Sequence, residues 1–333
     1  MHTWKFAVTM VVGLSLSGLS AGQAAPRDEA VSKAAVMPHV RLGLGAHWRS
    51  RAAAAAVATR KAVPDAVALG LASAKVYRFA SADFPGASTS LVFDMNPGTI
   101  LGDCSFGGAF QTFTQKGTNY QSLSVPNSLA NEATGINTSG QIVGVYEDFT
   151  TVTHGFLDTA GVFTSLDSLA GTSVVPLDIN DSGEIVGTYV DTASVSHGFS
   201  TLDHGASYTL FDFPGATSTL AAGVNTAGTI TGEWTDSASV RHGFLYSGGV
   251  FTNLDFPLAT GTTAIGINDS NEIAGVYSDA TSTSHGFLYS DGAYTKVDVA
   301  GASETQLTRI KNKGQITGEY IDSAMGEHGL VGR

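Results

Sequence analysis

The sequence predicts an all-β protein: a six-bladed β-propeller of four-stranded blades, closed by an N-terminal strand that pairs with the C-terminal blade. Three observations support this prediction: a repeat of nearly fixed length, four strand-like runs in each repeat, and chain ends that complete one another. The repeat is clearest in a His-Gly-hydrophobic tripeptide whose copies are separated by 43 or 45 residues and begin at His154, His197, His242, His285 and His328. A period of this length is typical of propeller blades.

The unit from Gly135 to Asp167 shows how one repeat supplies four strands. It begins with a Gly-Ile-Asn segment, continues with the run Ile142–Tyr146, reaches its third run at His154 and ends its fourth run at Asp167. Runs rich in Val, Ile, Thr, Phe and Tyr between Gly, Asn, Asp and Ser turns indicate strands rather than helices. We expect the Gly-Ile-Asn segments to be the inner strands, because small residues suit the crowded axis of a ring.

The earliest unit departs from this pattern. Aligning Asp94 with the start of the Gly-Ile-Asn segments places Cys104 at the aromatic position that Tyr146 occupies. The same alignment places Phe110 where Phe156 lies, and it predicts that this blade has lost most of one loop.

The two ends of the repeat region predict closure of the ring. The stretch from Val76 to Pro85 matches the fourth strand of later units, such as Leu210 to Ala216, whereas the last unit stops at Leu330, after its third strand. One composite blade made from both ends closes the ring and removes an exposed sheet edge. We therefore expect the propeller to extend over residues 76–333.

The residues before the repeats differ in composition. Residues 1–24 are typical of a secretory signal peptide, with Lys5 ahead of an apolar stretch that is short for a membrane span. Residues 25–75 are an Ala- and Arg-rich leader or linker with eight basic and three acidic residues, whereas residues 76–333 carry eight basic and 26 acidic residues. This acidic balance disfavours nucleic acid as a partner. We expect a secreted or periplasmic monomer with no membrane span after signal cleavage.

The recurring histidines each follow an aspartate by six residues, as Asp148 precedes His154 and Asp279 precedes His285. These residue types serve acid–base and metal chemistry, but such a site needs unlike groups that converge once, and these pairs recur around the ring. We interpret them as structural, with each histidine anchoring a neighbouring backbone carbonyl. The sequence predicts neither a metal site nor another cofactor.

Positions that depart from the repeat are the candidate ligand-binding residues. Where three units begin the inner segment with Gly, the others carry Asp94, Asp178 and Arg309, and the Asn two positions later becomes Lys311 in the last unit. In a six-membered ring the last blade adjoins the first and lies opposite the third. Arg309 is therefore expected to pair with Asp94 and to face Asp178 across the channel. Such a group either caps the channel with ion pairs or binds a small anionic ligand or a metal.

The sequence contains no nucleophile elbow, phosphate-binding loop or cysteine-pair zinc spacing. It therefore favours an exported, non-catalytic binding or cell-envelope module whose partner is a glycan, a protein or a small molecule. The alternative is a hydrolase or lyase with a small site at the channel mouth around Asp94, Asp178 and Arg309.

The pattern Asn-x-x-Gly-x-Ile-x-Gly-x-Tyr, followed by His-Gly-Phe and Leu-Asp-Phe-Pro, resembles bacterial extracellular repeat proteins of the HAF family, named for a His-Ala-Phe tripeptide. The resemblance extends over about residues 76–333. This chain has Gly where the family name has Ala, and Leu330 replaces the final Phe. The resemblance implies an exported repeat protein and supplies no catalytic residues.

Overall fold

A computed structural model of the chain describes residues 77–106, 109–167 and 173–333. These residues form six four-stranded antiparallel sheets arranged in a ring, a six-bladed β-propeller, which confirms the predicted fold. The inner strand of each blade contacts the inner strand of the next, and the last blade contacts the first. The predicted signal peptide (1–24) and leader (25–75) lie outside the described residues.

Five blades are built from consecutive strands that run from the inner position to the outer one. Blade 1 contains β2 (Thr89–Met95), β3 (Ile100–Phe106), β4 (Ala109–Lys116) and β5 (Asn119–Ser122). Blade 2 contains β6 (Ala130–Ile136), β7 (Ile142–Glu147), β8 (Thr153–Thr159) and β9 (Val162–Ser165). Blade 3 contains β10 (Ser173–Ile179), β11 (Ile185–Val190), β12 (Ser196–Thr201) and β13 (Thr209–Phe211). Blade 4 contains β14 (Ser218–Val224), β15 (Ile230–Thr235), β16 (Arg241–Ser247) and β17 (Val250–Asn253). Blade 5 contains β18 (Gly261–Ile267), β19 (Ile273–Ser278), β20 (Ser284–Ser290) and β21 (Ala293–Val297).

Blade 6 is composite and confirms the predicted closure. Its first three strands are β22 (Glu304–Ile310), β23 (Ile316–Ile321) and β24 (Glu327–Gly332), and β1 (Phe79–Ser81) fills the outer position. The pairing of β1 with β24 is antiparallel and joins Phe79 to Gly332, Ala80 to Val331 and Ser81 to Leu330. Two backbone hydrogen bonds between Arg78 and Arg333, of 2.9 and 3.1 Å, extend this seam.

In each blade built from consecutive strands, the core contains one buried phenylalanine opposite a glycine. Phe156 pairs with Gly144 and Phe244 pairs with Gly232, and both rings are at most 1% exposed. A Cβ at Gly232 would lie 1.9 Å from the carbonyl oxygen of Leu220 and 2.7 Å from the Phe244 ring. Glycine at this position therefore lets the inner strand and the aromatic ring approach the second strand together.

In blade 1 this position belongs to Phe113, so the predicted alignment of Phe110 was wrong by three residues. Phe113 pairs with Gly102 and is fully buried, whereas Phe110 pairs with Ser105. The predicted loss of most of one loop was wrong for the same reason. Four residues separate Ser105 from Phe110, where five separate the equivalent pair in blade 2, because β3 and β4 continue their pairing for one further residue.

The placement of Cys104 at the aromatic position was correct, because Cys104 pairs with Ser90 as Tyr146 pairs with Asn131. The Cys104 side chain is buried, and burial raises the pKa of its thiol to about 12. A thiol with a raised pKa is a weak nucleophile at neutral pH.

Tight turns join the first and second strands of each blade. In blade 2, Gly140 adopts a φ of 83°, the left-handed conformation that glycine favours, and Asn137 Oδ1 accepts a hydrogen bond of 2.9 Å from the backbone N–H of Gln141. The asparagine recurs in blades 3, 4 and 5, and a glycine with positive φ recurs in blades 3, 4 and 6. All six turns lie at one end of the channel, where they border a common cavity.

Candidate functional site

A hydrogen-bonded belt of asparagines surrounds the end of the channel at which these turns meet. In each turn the asparagine donates from Nδ2 to the backbone carbonyl of the equivalent residue in the next blade. These bonds, which we call the asparagine belt, join Asn96 to Asn137 (3.1 Å), Asn137 to Asn180 (3.2 Å), Asn180 to Asn225 (2.8 Å), Asn225 to Asn268 (3.3 Å) and Asn268 to Lys311 (3.4 Å). The belt ties neighbouring blades together around the mouth of the channel.

The belt is interrupted in blade 6, where the sequence replaces asparagine with Lys311. The Lys311 ammonium lies 2.5 Å from Asp94 Oδ1, so its side chain turns into the channel towards blade 1. The other Asp94 oxygen accepts a 2.9 Å hydrogen bond from the backbone N–H of Ile136 in blade 2. Asp94 therefore joins three blades, and its side chain is fully buried.

Arg309 crosses the channel below the belt. Its Nε lies 3.5 Å from Asp178 Oδ1 and 3.9 Å from Asp94 Oδ2, and its Nη2 donates to the backbone carbonyls of Leu177 (2.5 Å) and Thr134 (3.3 Å). The structure thus brings together all four residues that the sequence singled out, with Arg309 closer to Asp178 than to its expected partner Asp94. Lys311 makes the short contact with Asp94 instead.

Asp178, unlike Asp94, borders the open part of the channel. Its two oxygens accept hydrogen bonds of 3.0 Å from the backbone N–H groups of Ile179 and Val224, which links blade 3 to blade 4. Burial raises the pKa of Asp178, while the Arg309 guanidinium opposes that increase. Arg309 thus stabilises the ionised form of a buried carboxylate.

The asparagine belt borders a cavity of about 610 Å³ at the mouth of the channel, and the ion pairs of Arg309 and Lys311 with Asp178 and Asp94, which we call the ionic floor, lie at its base. Residues 77–333 contain eight basic residues against 26 acidic ones. Four of the eight line this cavity, all of them in blade 6 or directly after it: Arg309, Lys311, Lys313 and Arg333. Three acidic residues line the same cavity, from blades 3 and 5: Asp178, Asp181 and Asp269. The mouth is therefore positive on one wall and negative on others, in a domain that is strongly acidic overall.

Sequence reasoning missed Lys313, Arg333 and the two rim aspartates. Lys313 occupies the place of Ser139 in blade 2, so it departs from the repeat as clearly as Lys311 does. Arg333 gave no such signal, because its position at the mouth depends on the pairing of β1 with β24. The same comparison of turns that found Lys311 would have found Lys313.

Below Arg309 the channel narrows to a cavity of about 70 Å³. Every inner strand carries a register shift, and the residues at these shifts all line the narrow part: Phe93, Thr134, Leu177, Ala222, Ile265 and Thr308. Arg309 borders both cavities and forms the floor between them.

The repeated histidines lie away from the mouth, at the start of the third strand of blades 2 to 6, and each contacts two aspartates. His154 Nε2 lies 3.2 Å from Asp148, six residues before it, and its Nδ1 lies 2.7 Å from Asp167 at the end of the fourth strand. In blade 6 the second partner is Asp83, 3.1 Å from His328, so the closing segment completes this triplet too. The structure shows these histidines hydrogen-bonded within their blades, but the expected backbone carbonyl partner was wrong: the partners are carboxylates.

In these Asp–His–Asp triplets the pKa of the first aspartate is lowered in all five blades, and the pKa of the histidine is raised in blades 3 and 6. Partial burial lowers the pKa of His197, but its hydrogen bonds to Asp212 and Asp191 outweigh this and raise it. The backbone N–H of Val195 and the His197 ring lower the pKa of Asp191. Each ring also packs against the aromatic residue of the second strand, as His242 stacks on Trp234 with centroids 4.4 Å apart. The triplets therefore fasten the second, third and fourth strands of a blade to one another.

The described residues lack two further features. Among them, no group of three or more His, Cys, Asp or Glu side chains is arranged to hold a metal ion. Nor does any helix in this part of the chain combine the length and apolar character needed to cross a membrane.

Comparison with known proteins gives structural likeness only. No protein-family model and no curated protein sequence matches this chain. Among solved structures, the tricorn protease aligns with a TM-score of 0.52 at 11% identity, over 73% of this chain and 26% of the protease. A triple arginine-to-alanine mutant of AofleA from Arthrobotrys oligospora aligns with a TM-score of 0.49 at 11% identity, over 78% of this chain and 86% of that one. The six-bladed fungal lectin of Aleuria aurantia aligns with a TM-score of 0.47 at 10% identity, over 76% and 93%. At such low identity, likeness shows the β-propeller fold alone.

Proposed function

We propose that this protein is an exported, non-catalytic binding module whose ligand occupies the cavity at the mouth of the channel. The observation that carries the proposal is the 610 Å³ cavity, where four of the eight basic residues of an acidic domain gather on one wall. A volume of several hundred Å³ is typical of small-molecule sites, and departures from the repeat are concentrated around this one. The signal-like segment 1–24 supports export.

The geometry favours binding over turnover. Asp94 is fully buried, and its oxygens already contact the ammonium of Lys311 and backbone N–H groups. Both oxygens of Asp178 accept backbone hydrogen bonds. A general acid or base must reach the proton that it transfers, and neither carboxylate has a free oxygen directed at a substrate. A hydrolase or lyase at Asp94, Asp178 and Arg309 is therefore the weaker alternative.

The proposal is tested by a binding screen that includes a variant with a blocked mouth. Thermal shift and calorimetry against small metabolites, soluble glycans and envelope fractions, at two calcium concentrations, are run on the wild type and on Thr138→Trp. Thr138 is an exposed residue of the cavity wall, so a large ring there fills the mouth and leaves the core untouched. We expect ligands of the wild type to lose binding in this variant. Binding that survives in Thr138→Trp overturns the assigned location, and turnover of lactone, ester or glycan panels overturns the non-catalytic assignment.

A further inference from the structure

The mouth cavity has walls of opposite charge, and the basic wall retains cations that no described residue neutralises. Within the described residues, the side chains of Lys313 and Arg333 have no ion-pair partner, whereas Lys311 and Arg309 contact Asp94 and Asp178. Two uncompensated cations beside an enclosed cavity attract one anionic group, and a guanidinium matches a carboxylate through two parallel hydrogen bonds.

Acidic residues on two other blades limit the ligand to a single negative charge: Asp181 in blade 3, opposite the basic wall, and Asp269 in blade 5, which adjoins it. Asp181 accepts a 2.8 Å hydrogen bond from the backbone N–H of Thr138, and Asp269 accepts hydrogen bonds from Thr226 and Asn312. Both aspartates line the cavity. A second anionic group placed near them is repelled, whereas a hydroxyl group donates to them favourably.

The floor of the cavity has a donor without an acceptor. Arg309 is 6% exposed, and its Nε, 3.5 Å from Asp178 Oδ1 and 3.9 Å from Asp94 Oδ2, makes no hydrogen bond among the described residues. This Nε atom is itself buried, so the floor contributes the charges of its ion pairs to the cavity and no ligand contact through Nε.

We infer that the ligand is a small monocarboxylate with a hydroxyl-rich body, a sugar acid or related hydroxy acid, bound with its carboxylate on Lys313 and Arg333 and its hydroxyl groups towards Asp181 and Asp269. This inference rests on the proposed function and adds the ligand class to it. The inference predicts that the site binds ligands with the same carbon skeleton but different charge with different affinities.

The test uses four such compounds with the full-length protein: glucuronate, glucose, glucosamine and glucarate. Isothermal titration of the wild type is expected to show binding of glucuronate at least tenfold tighter than that of glucose or glucosamine. Glucarate, which carries a carboxylate at each end, is expected to bind more weakly than glucuronate. No binding of glucuronate, or equal binding of glucose, overturns the inference.

Substitutions of the lining residues test which of them contact the ligand. Lys313→Gln and Arg333→Gln are each expected to weaken glucuronate about tenfold, since each removes one charge-assisted contact. Asp181→Asn is expected to strengthen glucarate relative to glucuronate, because the repulsion at the far wall is removed. Lys296→Gln is the matched control, because Lys296 lies on the outer strand β21 and its loss changes the net charge equally. An equal effect of Lys296→Gln and Lys313→Gln overturns the assigned contact.

The failure of this inference is distinguishable from that of the proposed function. A neutral or cationic ligand that loses binding in Thr138→Trp overturns the charge assignment and leaves the mouth as the binding site. A ligand whose affinity is unchanged in Thr138→Trp overturns the location itself.

Discussion

Replacing Arg309 with methionine removes the cation that crosses the channel and leaves its two carboxylate neighbours in place. Arg309, Asp94 and Asp178 are 6, 0 and 5% exposed, respectively. Removing one partner of a buried ion pair costs about 3–5 kcal/mol, because the remaining charge is left buried without compensation. In a domain of this size, about 1 kcal/mol lowers the Tm by roughly 2–4 °C. We therefore expect Arg309→Met to lower the Tm at neutral pH by on the order of 6–20 °C.

The loss of stability in Arg309→Met is expected to depend on pH. Burial already raises the pKa of Asp178, and Arg309 is the strongest influence that opposes the increase. Without Arg309 the folded-state pKa rises further above the value of about 3.9 that an aspartate has in the unfolded chain. A raised aspartate pKa destabilises the folded state above the unfolded pKa, and the effect grows until pH reaches the folded pKa. The difference between variant and wild type should thus be small near pH 4 and largest at neutral pH.

Calorimetry and urea denaturation at pH 4.5 and 7.5 measure this effect in the wild type, Arg309→Met and the double variant Arg309→Met/Asp178→Asn. The double variant is expected to recover part of the loss, because the uncompensated charge is gone. A loss that is the same at both pH values refutes the assignment of the effect to the buried charge.

Three further predictions concern the propeller itself. Deleting residues 1–84 removes the strand that closes blade 6 and should lower the Tm sharply, whereas deleting residues 25–75 should leave it unchanged; equal melting of the two truncated proteins contradicts closure by β1. Gly232→Ala should destabilise the protein by about 3 kcal/mol or more in urea denaturation, since the added Cβ meets a backbone oxygen at 1.9 Å, whereas Gly98→Ala meets nothing within 4 Å and should be neutral. In the triplets of blades 3 and 6, the lowered pKa values of Asp191 and Asp322 favour the folded state above pH ~4, and the raised pKa values of His197 and His328 favour it below pH ~6.5. Stability should therefore decline as pH rises from 6 towards 8, and replacing His197 with glutamine should flatten that decline.

The blade architecture could be predicted because each repeat carries the same pattern of strand and turn residues. Alternating apolar residues, turn asparagines and glycines recur five times with little change, so one ambiguous segment is resolved by its equivalents. Closure by β1 was predictable for the same reason, since residues 79–84 match the fourth strand of the other units. The alignment failed at Phe110 because the earliest unit has a shorter connection and longer strands there, and the tripeptide that marks this point in other blades is missing.

The site could be predicted only in part. Asp94, Asp178, Arg309 and Lys311 were found because each breaks the repeat at a position that faces the axis. The order of contacts was not predictable, because it depends on side-chain reach: Lys311 extends to Asp94, and Arg309 extends across to the carbonyls of Leu177 and Thr134. The second aspartate of each histidine triplet was missed because it lies on another strand, 13 or 15 residues away in the consecutive blades.

The blade that carries the basic wall of the mouth is also the blade assembled from two distant segments, residues 79–81 and 304–332. Arg333 contributes to the mouth, and its backbone is bonded to Arg78 on the closing segment. A ligand that binds between blade 6 and the opposite walls therefore resists opening of the ring at the seam. At a ligand concentration 100 times its Kd, this linkage stabilises the closed ring by about 2.7 kcal/mol. Protection of the segment around Phe79 from proteolysis therefore reports whether the mouth is occupied.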